Sequence, residues 1–250
     1  MLKFENVSFT YKGDSAPTLN NVSFSVEDKS FVSIIGASGS GKTTIFRLLN
    51  ALESPDSGQI TMDGEPLDGK NRVAGYMPQQ DLLFPWRTAL QNVSLPMQIK
   101  HVAKDERERR AHELLTQVGL DEYASKYPRE LSGGMRQRVS FARTLCTGAD
   151  LLLLDEPFSA LDSITRMGLQ EWLYSQWQSL DKTILFITHD VDEAIFLSEK
   201  ILVLSGKPAD TISEYHVPLP KERTREMLYN EKAEKLKEEL LSVLGKEAQR

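Results

Sequence analysis

The sequence predicts an α/β fold: a mostly parallel sheet as core, an antiparallel β-subdomain ahead of it, and a helical lobe inserted in the middle. Three observations carry this prediction. Up to about residue 35 apolar and polar residues alternate, with Leu2, Phe4, Val7 and Phe9 followed by Val22, Phe24 and Val26; period two is the repeat of half-buried antiparallel strands. Mostly apolar runs then appear at residues 31–35, 151–154, 183–188 and 200–204; all read as strands, the first as one buried on both faces. Between the first two, from about 84 to 145, the pattern turns helical.

In chain order, the run 31–35 ends in a glycine-rich turn, and a helix should follow from Lys42 to about Leu52. Residues 58–67, centred on Asp63-Gly64, read as a hairpin. Residues 104–118 form a charged helix with Leu114, Leu115 and Val118 on its apolar side, stopped near Gly119. A helix around 166–178 lies between the strands at 151–154 and 183–188, and strand–helix alternation implies parallel strands with helices on the sheet faces. From Pro218 onward the composition shifts to mixed basic and acidic residues with Leu236, Leu240, Val243 and Leu244 at helical spacing. That segment is expected to be an amphipathic helix lying on the domain surface or partly frayed. The expected organisation is one domain over 1–217, with the lobe at about 84–145 inserted in it, and a helical tail over 218–250. There is no internal repeat or low-complexity tract.

At 250 residues with 40% hydrophobic and 26% charged composition, the chain is an ordinary globular one, and folding at this length hides about 70–75% of the unfolded surface. Apolar runs such as 151–154 fall far short of the roughly 20 residues that span a bilayer. The first residues, MLKFENVSF, alternate like a strand and not like a targeting leader. The expected location is therefore the cytoplasm, with any membrane association made through a partner. A net charge of −6 argues against general nucleic-acid binding, which needs a basic face. The single cysteine, Cys146, has no partner for an internal disulfide and no neighbours at metal-ligand spacing; it reads as a small buried residue in a helix.

The strongest chemical signal is Gly36-Ala37-Ser38-Gly39-Ser40-Gly41-Lys42-Thr43, which fits GxxxxGK[ST] at every fixed position between a buried strand and a helix. Glycines there let successive backbone N–H groups curl around phosphate oxygens, and the helix N-terminus adds positive potential. Lys42 would reach the β and γ phosphates, Thr43 would complete a Mg²⁺ shell, and Thr44 joins the nucleotide-binding set. A second signal is the leucine run 151–154 followed by Asp155-Glu156-Pro157. Ionised carboxylates beside so apolar a strand need partners. Asp155 would hold Mg²⁺ through water, and Glu156 would act as general base on the attacking water. In isolation the pair would equally be an acidic turn capping the next helix.

Many families share those two features. The sequence Leu131-Ser132-Gly133-Gly134-Met135-Arg136-Gln137-Arg138, lying between them, narrows the choice. Ser132, Gly133 and Gly134 open a helix and so offer a second anion-binding N-terminus, or simply a capped helix start. Gln79 stands in Gly75-Tyr76-Met77-Pro78-Gln79-Gln80, His189 follows the strand in Ile187-Thr188-His189-Asp190, and Ser159-Ala160-Leu161-Asp162 comes just after the carboxylates. With these six motifs in order over residues 2–204, the chain resembles the ATPases of ABC transporters. That resemblance implies a P-loop NTPase core and a head-to-tail dimer with two ATP molecules at the seam, each between one subunit's P-loop and the other's Ser132–Gly133–Gly134 segment. It further implies that Gln79 (the Q-loop glutamine, near Mg²⁺ and water) and His189 (the switch histidine) sense the γ-phosphate or orient the water. Asp162 belongs to the D-loop near the nucleotide, and Tyr11 lies where the family places an adenine-stacking aromatic, although an aromatic beside Phe9 could equally be core. The groove near 79–87 would dock a permease's cytoplasmic helix.

Subtler matches favour import. Met135 replaces the commoner Gln of the signature; Leu82-Leu83-Phe84-Pro85-Trp86-Arg87-Thr88 follows the Q-loop, and Asp192-Glu193-Ala194-Ile195 follows His189. Together they resemble the importer group for nitrate, taurine, alkanesulfonates and the pyrimidine precursor of thiamine. The long β-rich C-terminal domain of sugar-importer ATPases is not expected here. The expected partners are a second ATPase subunit, permease subunits and, indirectly, a solute-binding protein, with the chain peripheral on the cytoplasmic membrane face. The interval 43–131 is too short for the coiled-coil arms of chromosome-maintenance relatives, and translation-factor relatives carry two ATPase domains. An exporter or lipoprotein-release ATPase shares the same core and is the alternative.

Overall fold

The computed structural model describes residues 1–67 and 74–248; the last two residues of the expected tail, 249 and 250, lie outside them. The chain begins with β1 (Leu2–Phe9) and β2 (Leu19–Val26), antiparallel, with Phe4 opposite Phe24 and Val7 opposite Val22. The alternation works as read: Leu2, Phe4, Val7, Val22 and Val26 are buried, and the Phe4 and Phe24 rings stack at 4.4 Å. β3 (Phe31–Gly36), buried at every position, enters the glycine loop that leads to α1 (Lys42–Leu49). β4 (Ser57–Met62) and β5 (Glu65–Pro66) form the hairpin about Asp63-Gly64. Next come β6 (Ala74–Met77), α2 (Ala89–Val93), α3 (Leu95–Ile99), α4 (Lys104–Gln117) and α5 (Gly133–Leu145). The remainder is β7 (Leu151–Asp155), α6 (Ser163–Ser179), β8 (Thr183–Ile187), α7 (Val191–Leu197), β9 (Lys200–Gly206), β10 (Ala209–His216) and α8 (Glu231–Ala248).

Two helix ends show how local chemistry sets boundaries. α4 stops as expected: Gly119 adopts φ +70°, its N–H bonds to the Thr116 carbonyl, and the Leu120 N–H bonds back to Leu115 at 2.8 Å, a Schellman closure. α1 ends at Leu49, three residues before the expected end, through the same closure. The Ala51 N–H donates to Leu48 and the Leu52 N–H to Arg47 at 2.9 Å, with Ala51 at φ +53°. Alanine rarely takes that conformation, so the stop carries no residue signal.

The residues gather into two compact units, Met1–Ala74 with Leu180–Arg250, and Gly75–Ser179. In the first, the strand order is β5-β4-β1-β2-β10-β9-β3-β8. β3 runs parallel to both β8 and β9, with Ile34 aligned with Ile187 and Leu202. The strands β5-β4-β1-β2 are antiparallel throughout. β10 runs antiparallel to β9 and meets β2 through Ala209 opposite Leu19; its mostly exposed Asp, Thr, Ser and Glu residues hide it from apolar patterning. α8 lies against α7 and β9, burying Ala233, Leu236 and Leu240 while Leu241 stays half exposed.

In the second unit every residue of β7 is buried, and α2, α4 and α5 pack on one another through Val93, Ala111, Leu115, Val139 and Ala142. Asn92, wholly buried, ties the loop before α2: it accepts from the Phe84 N–H at 2.8 Å and donates to the carbonyls of Phe84, Arg87 and Thr88. Among the described residues no helix is long and apolar enough to cross a membrane.

Cys146 caps the C-terminus of α5 and is buried, and burial pushes its thiol up to about 11. At pH 8 the reactive thiolate is then about 10²-fold scarcer than for an ordinary cysteine. Iodoacetamide is expected to alkylate the folded protein about that much more slowly than the urea-unfolded chain; equal rates would contradict the buried, inert placement.

Candidate functional site

The glycine loop has the backbone a phosphate cradle requires. Gly39 and Gly41 sit at φ +77° and +93°. A Cβ on Gly41 would also stand 2.8 Å from Leu19 Cδ2, so only glycine fits where α1 begins. The first turn of α1 holds no acidic residue to oppose an anion. Lys42 is buried, and its Nζ donates to the Gly36 and Ala37 carbonyls at 2.9 and 2.8 Å, which holds the ammonium on the loop. Ser38 and Gly39 are exposed and Ala37 half-buried at the loop's crest. Ser40 Oγ is buried without a hydrogen-bond partner among the described residues. A buried hydroxyl left without a partner at the start of α1 is a group a phosphate oxygen would satisfy.

Thr43 is exposed and Thr44 buried, and Thr44 Oγ1 lies 3.0 Å from the Tyr11 hydroxyl. Tyr11 is half-buried: Phe9 meets its ring edge-on at 4.8 Å and the Arg47 guanidinium lies 5.7 Å from its centroid. One edge of Tyr11 is thus packed, as for a core aromatic, and its hydroxyl is fastened to the helix that starts at Lys42.

In the second unit, β7 delivers Asp155, buried, and Glu156, half-buried, at its end. Asp155 Oδ2 accepts from the Tyr76 hydroxyl at 3.1 Å. Gln79 Nε2 donates to Glu156 Oε2 at 3.1 Å and to Ser159 Oγ at 3.2 Å. Glu156 has φ +45°, a left-handed backbone that a non-glycine residue holds only when its surroundings impose it, and such positions cluster at functional sites.

α5 opens on exposed Ser132, whose Oγ accepts the Met135 N–H at 3.3 Å. The helix-start reading of this motif is therefore realised, which leaves a role toward an anion open. A Cβ on Gly134 would stand 2.9 Å from Thr165 Cγ2 on α6, so glycine there allows a close approach of two helices. Asp162 is exposed, accepts the Thr165 N–H at 3.0 Å, and is held below the usual carboxylate range by that bond. A cleft of about 600 Å³ is lined by Gln79, Asp81, Leu82, Gly133, Arg136 and Ser159. The segment after Gln79 is fastened to α5: Arg136 pairs with Asp81 at 2.9 Å, and Arg143 donates to the Asp81 and Leu82 carbonyls at 2.6 and 2.8 Å. Beyond it Leu82 and Trp86 are 58% and 69% exposed, and the Phe84 ring lies against Trp86 at 5.3 Å.

His189, in the first unit, is exposed on the turn between β8 and α7. Sequence reasoning did not single out Tyr76 or Ser159, the partners of Asp155 and Gln79. Tyr76 was detectable only as a polar-tipped aromatic in the Gln79 motif. Nor did it single out Glu193, a buried acid whose carboxylate bonds to the Thr188 hydroxyl beside His189.

Each residue expected at Mg²⁺ carries a hard oxygen of the kind that ion takes: the Thr43 hydroxyl in the first unit, and in the second the Asp155 carboxylate and the Gln79 amide oxygen, left over once its nitrogen bonds Glu156 and Ser159. Among the described residues no group of three or more His, Cys, Asp or Glu could hold a metal unaided.

The family described as ABC transporter matches residues 19–159. The formylaminopyrimidine import ATP-binding protein ThiZ of Halalkalibacterium halodurans is 43% identical over 100% of this chain and 98% of its own. The nitrate import ATP-binding protein NrtD of a Synechocystis strain is 43% identical over 86% of this chain and 81% of its own. Among solved structures, the dimeric post-hydrolysis state of the ATP-binding cassette MJ0796 bound to ADP and Pi superposes with a TM-score of 0.75. It is 33% identical and covers 88% of this chain and 100% of its own.

Proposed function

The chain belongs to the ABC transporter family, and from that premise we propose that it is the ATP-hydrolysing subunit of an importer, working as a dimer on the cytoplasmic face of the membrane. The observation that carries the chemistry is the 3.1 Å bond from Gln79 to Glu156, which joins the expected sensor to the expected base. The nitrate and formylaminopyrimidine import relatives support the direction of transport. The cargo class is a small organic or anionic solute: a sulfonate, taurine, nitrate or a thiamine pyrimidine precursor. A separate permease and solute-binding protein would select it.

In this mechanism the N–H groups of 36–43, with Lys42 and Ser40, bind the β and γ phosphates, and Tyr11 lies against the adenine. Thr43, Gln79 and Asp155 would hold Mg²⁺, which would supply charge neutralisation for the phosphates. Glu156 accepts a proton from the water as its oxygen forms a bond to the γ phosphorus. The bond from that phosphorus to the β–γ bridging oxygen breaks, and ADP and phosphate result. Gln79 and His189 orient the water and register the γ-phosphate. The partner subunit's copy of the Ser132–Gly134 segment closes on that phosphate, and its loss reopens the dimer. The exposed Leu82 and Trp86 surface would take the permease helix, so closure becomes work on the membrane subunits.

Ser132→Arg tests the trans contribution. Charge and bulk at the exposed start of α5 should block closure on the opposite ATP, and mixed dimers with the wild-type chain should keep at most one competent site. Full wild-type turnover per site in such mixtures would refute the shared site. Isolation of the membrane complex with a permease and a solute-binding protein tests import.

A further inference from the structure

The tail after β10 is fastened to α7, the helix that follows His189. One nitrogen of Arg223, Nη1, donates to the carbonyls of Ile195, Phe196 and Ser198 at 3.1, 2.9 and 2.7 Å, and its Nε donates to Pro220 at 2.8 Å. The last carbonyls of a helix have no partner inside it, and a cation there also meets the negative end of the helix dipole. Arg223 supplies both functions to α7 from well downstream in the chain. The Arg225 guanidinium lies 4.8 Å from the Phe196 ring centroid. At the other end of α7, Lys237 on α8 pairs with Asp192 at 2.7 Å.

The front of α7 is in turn fastened to the histidine turn. The Thr188 hydroxyl bonds to the buried Glu193 carboxylate. The Asp190 N–H donates to Thr188 Oγ1 at 3.0 Å, and the Glu193 N–H donates to Asp190 Oδ1 at 3.1 Å. His189 thus lies between two residues that both bond to the first turn of α7. A shift of α7 cannot leave that turn in place.

We infer that Arg223 is a positioning residue for His189: the C-terminal tail seats α7, and α7 sets the turn that presents the histidine. This rests on reading His189 as the γ-phosphate sensor. A helix of seven residues cannot hold itself by its own hydrogen bonds; burial of Ala194, Ile195, Phe196 and Leu197 places it in the core, and the polar groups at its ends fix its position along that seat. Arg223 is the group that bonds three carbonyls at the C-terminal end.

The test uses the full chain and steady-state ATP hydrolysis at concentrations where the dimer forms. Arg223→Met keeps the aliphatic stem and removes the donors. It is expected to lower kcat by about 2- to 30-fold, the range for residues that act through another element, with KM for ATP essentially unchanged. Arg223→Lys, which keeps the charge and donors to the same carbonyls, should recover part of the loss. His189→Ala should be slower still, and adding Arg223→Met to it should cost nothing more, because both act at one step. Folded Arg223→Met with wild-type kcat, or with additive loss on top of His189→Ala, overturns the positioning role alone. Wild-type turnover in His189→Ala overturns the sensor reading itself. If Arg223→Met does not fold, Lys237→Glu, which turns the pair with Asp192 into a repulsion, should lower kcat, and a compensating Asp192→Lys should restore it. Wild-type kcat in folded Lys237→Glu would then overturn the inference.

Discussion

Glu156→Gln is expected to lower ATP turnover by roughly 10²–10⁴-fold, the range for a lost general base, with ATP affinity retained. The substitution preserves shape and the hydrogen bond from Gln79, which finds a carbonyl oxygen where it found a carboxylate at 3.1 Å. What disappears is the basicity, so kcat falls while binding does not, and the two are separable in steady-state kinetics. The left-handed backbone at φ +45° is retained, because glutamine meets the same steric demands as glutamate there. With hydrolysis stalled, ATP should hold the chain as a dimer visible by light scattering. An ATP-loaded variant that stayed monomeric at high concentration, with and without its permease, would count against closure on a shared nucleotide.

Lys42→Ala is expected to act one step earlier, weakening ATP binding itself by about 10- to 100-fold, the equivalent of one charged hydrogen bond to phosphate. The Nζ already lies on the loop, bonded to the carbonyls of Gly36 and Ala37 at 2.9 and 2.8 Å. It therefore needs little reorganisation to reach a phosphate. The remaining N–H groups and Ser40 keep part of the site, so binding should be weakened and not abolished. Titration with ATP by calorimetry measures it, and unchanged affinity would contradict the cradle assignment.

How much of this was legible in the residues follows from the range of the interactions. The β1–β2 pairing was readable because one buried face and one wet face force a period of two, and Phe4 and Phe24 meet where the alternation puts them. The end of α4 was readable because Gly119 supplies a left-handed residue without steric cost. The end of α1 was not, because Ala51 adopts the same conformation under tertiary constraint. β10 escaped because its side chains are mostly solvated, and α7 because seven residues are too few for a helical period to show.

The chemistry by itself was determined by short stretches. Phosphate binding through consecutive N–H groups needs particular torsions within eight residues, and Gly36 to Thr43 encode them locally. Likewise the leucines of β7 deliver Asp155 and Glu156 wherever that strand is placed. Only tertiary structure decided which side chains complete those stretches. Gln79 reaches Glu156 across 77 residues of chain, Tyr76 reaches Asp155 across 79, and Arg223 reaches the end of α7 across 25. No periodicity records such pairs, because the partner of a long polar side chain is set by how the elements pack. The same holds for the backbone of Glu156: its left-handed torsion belongs to the surroundings that impose it and not to the residue type.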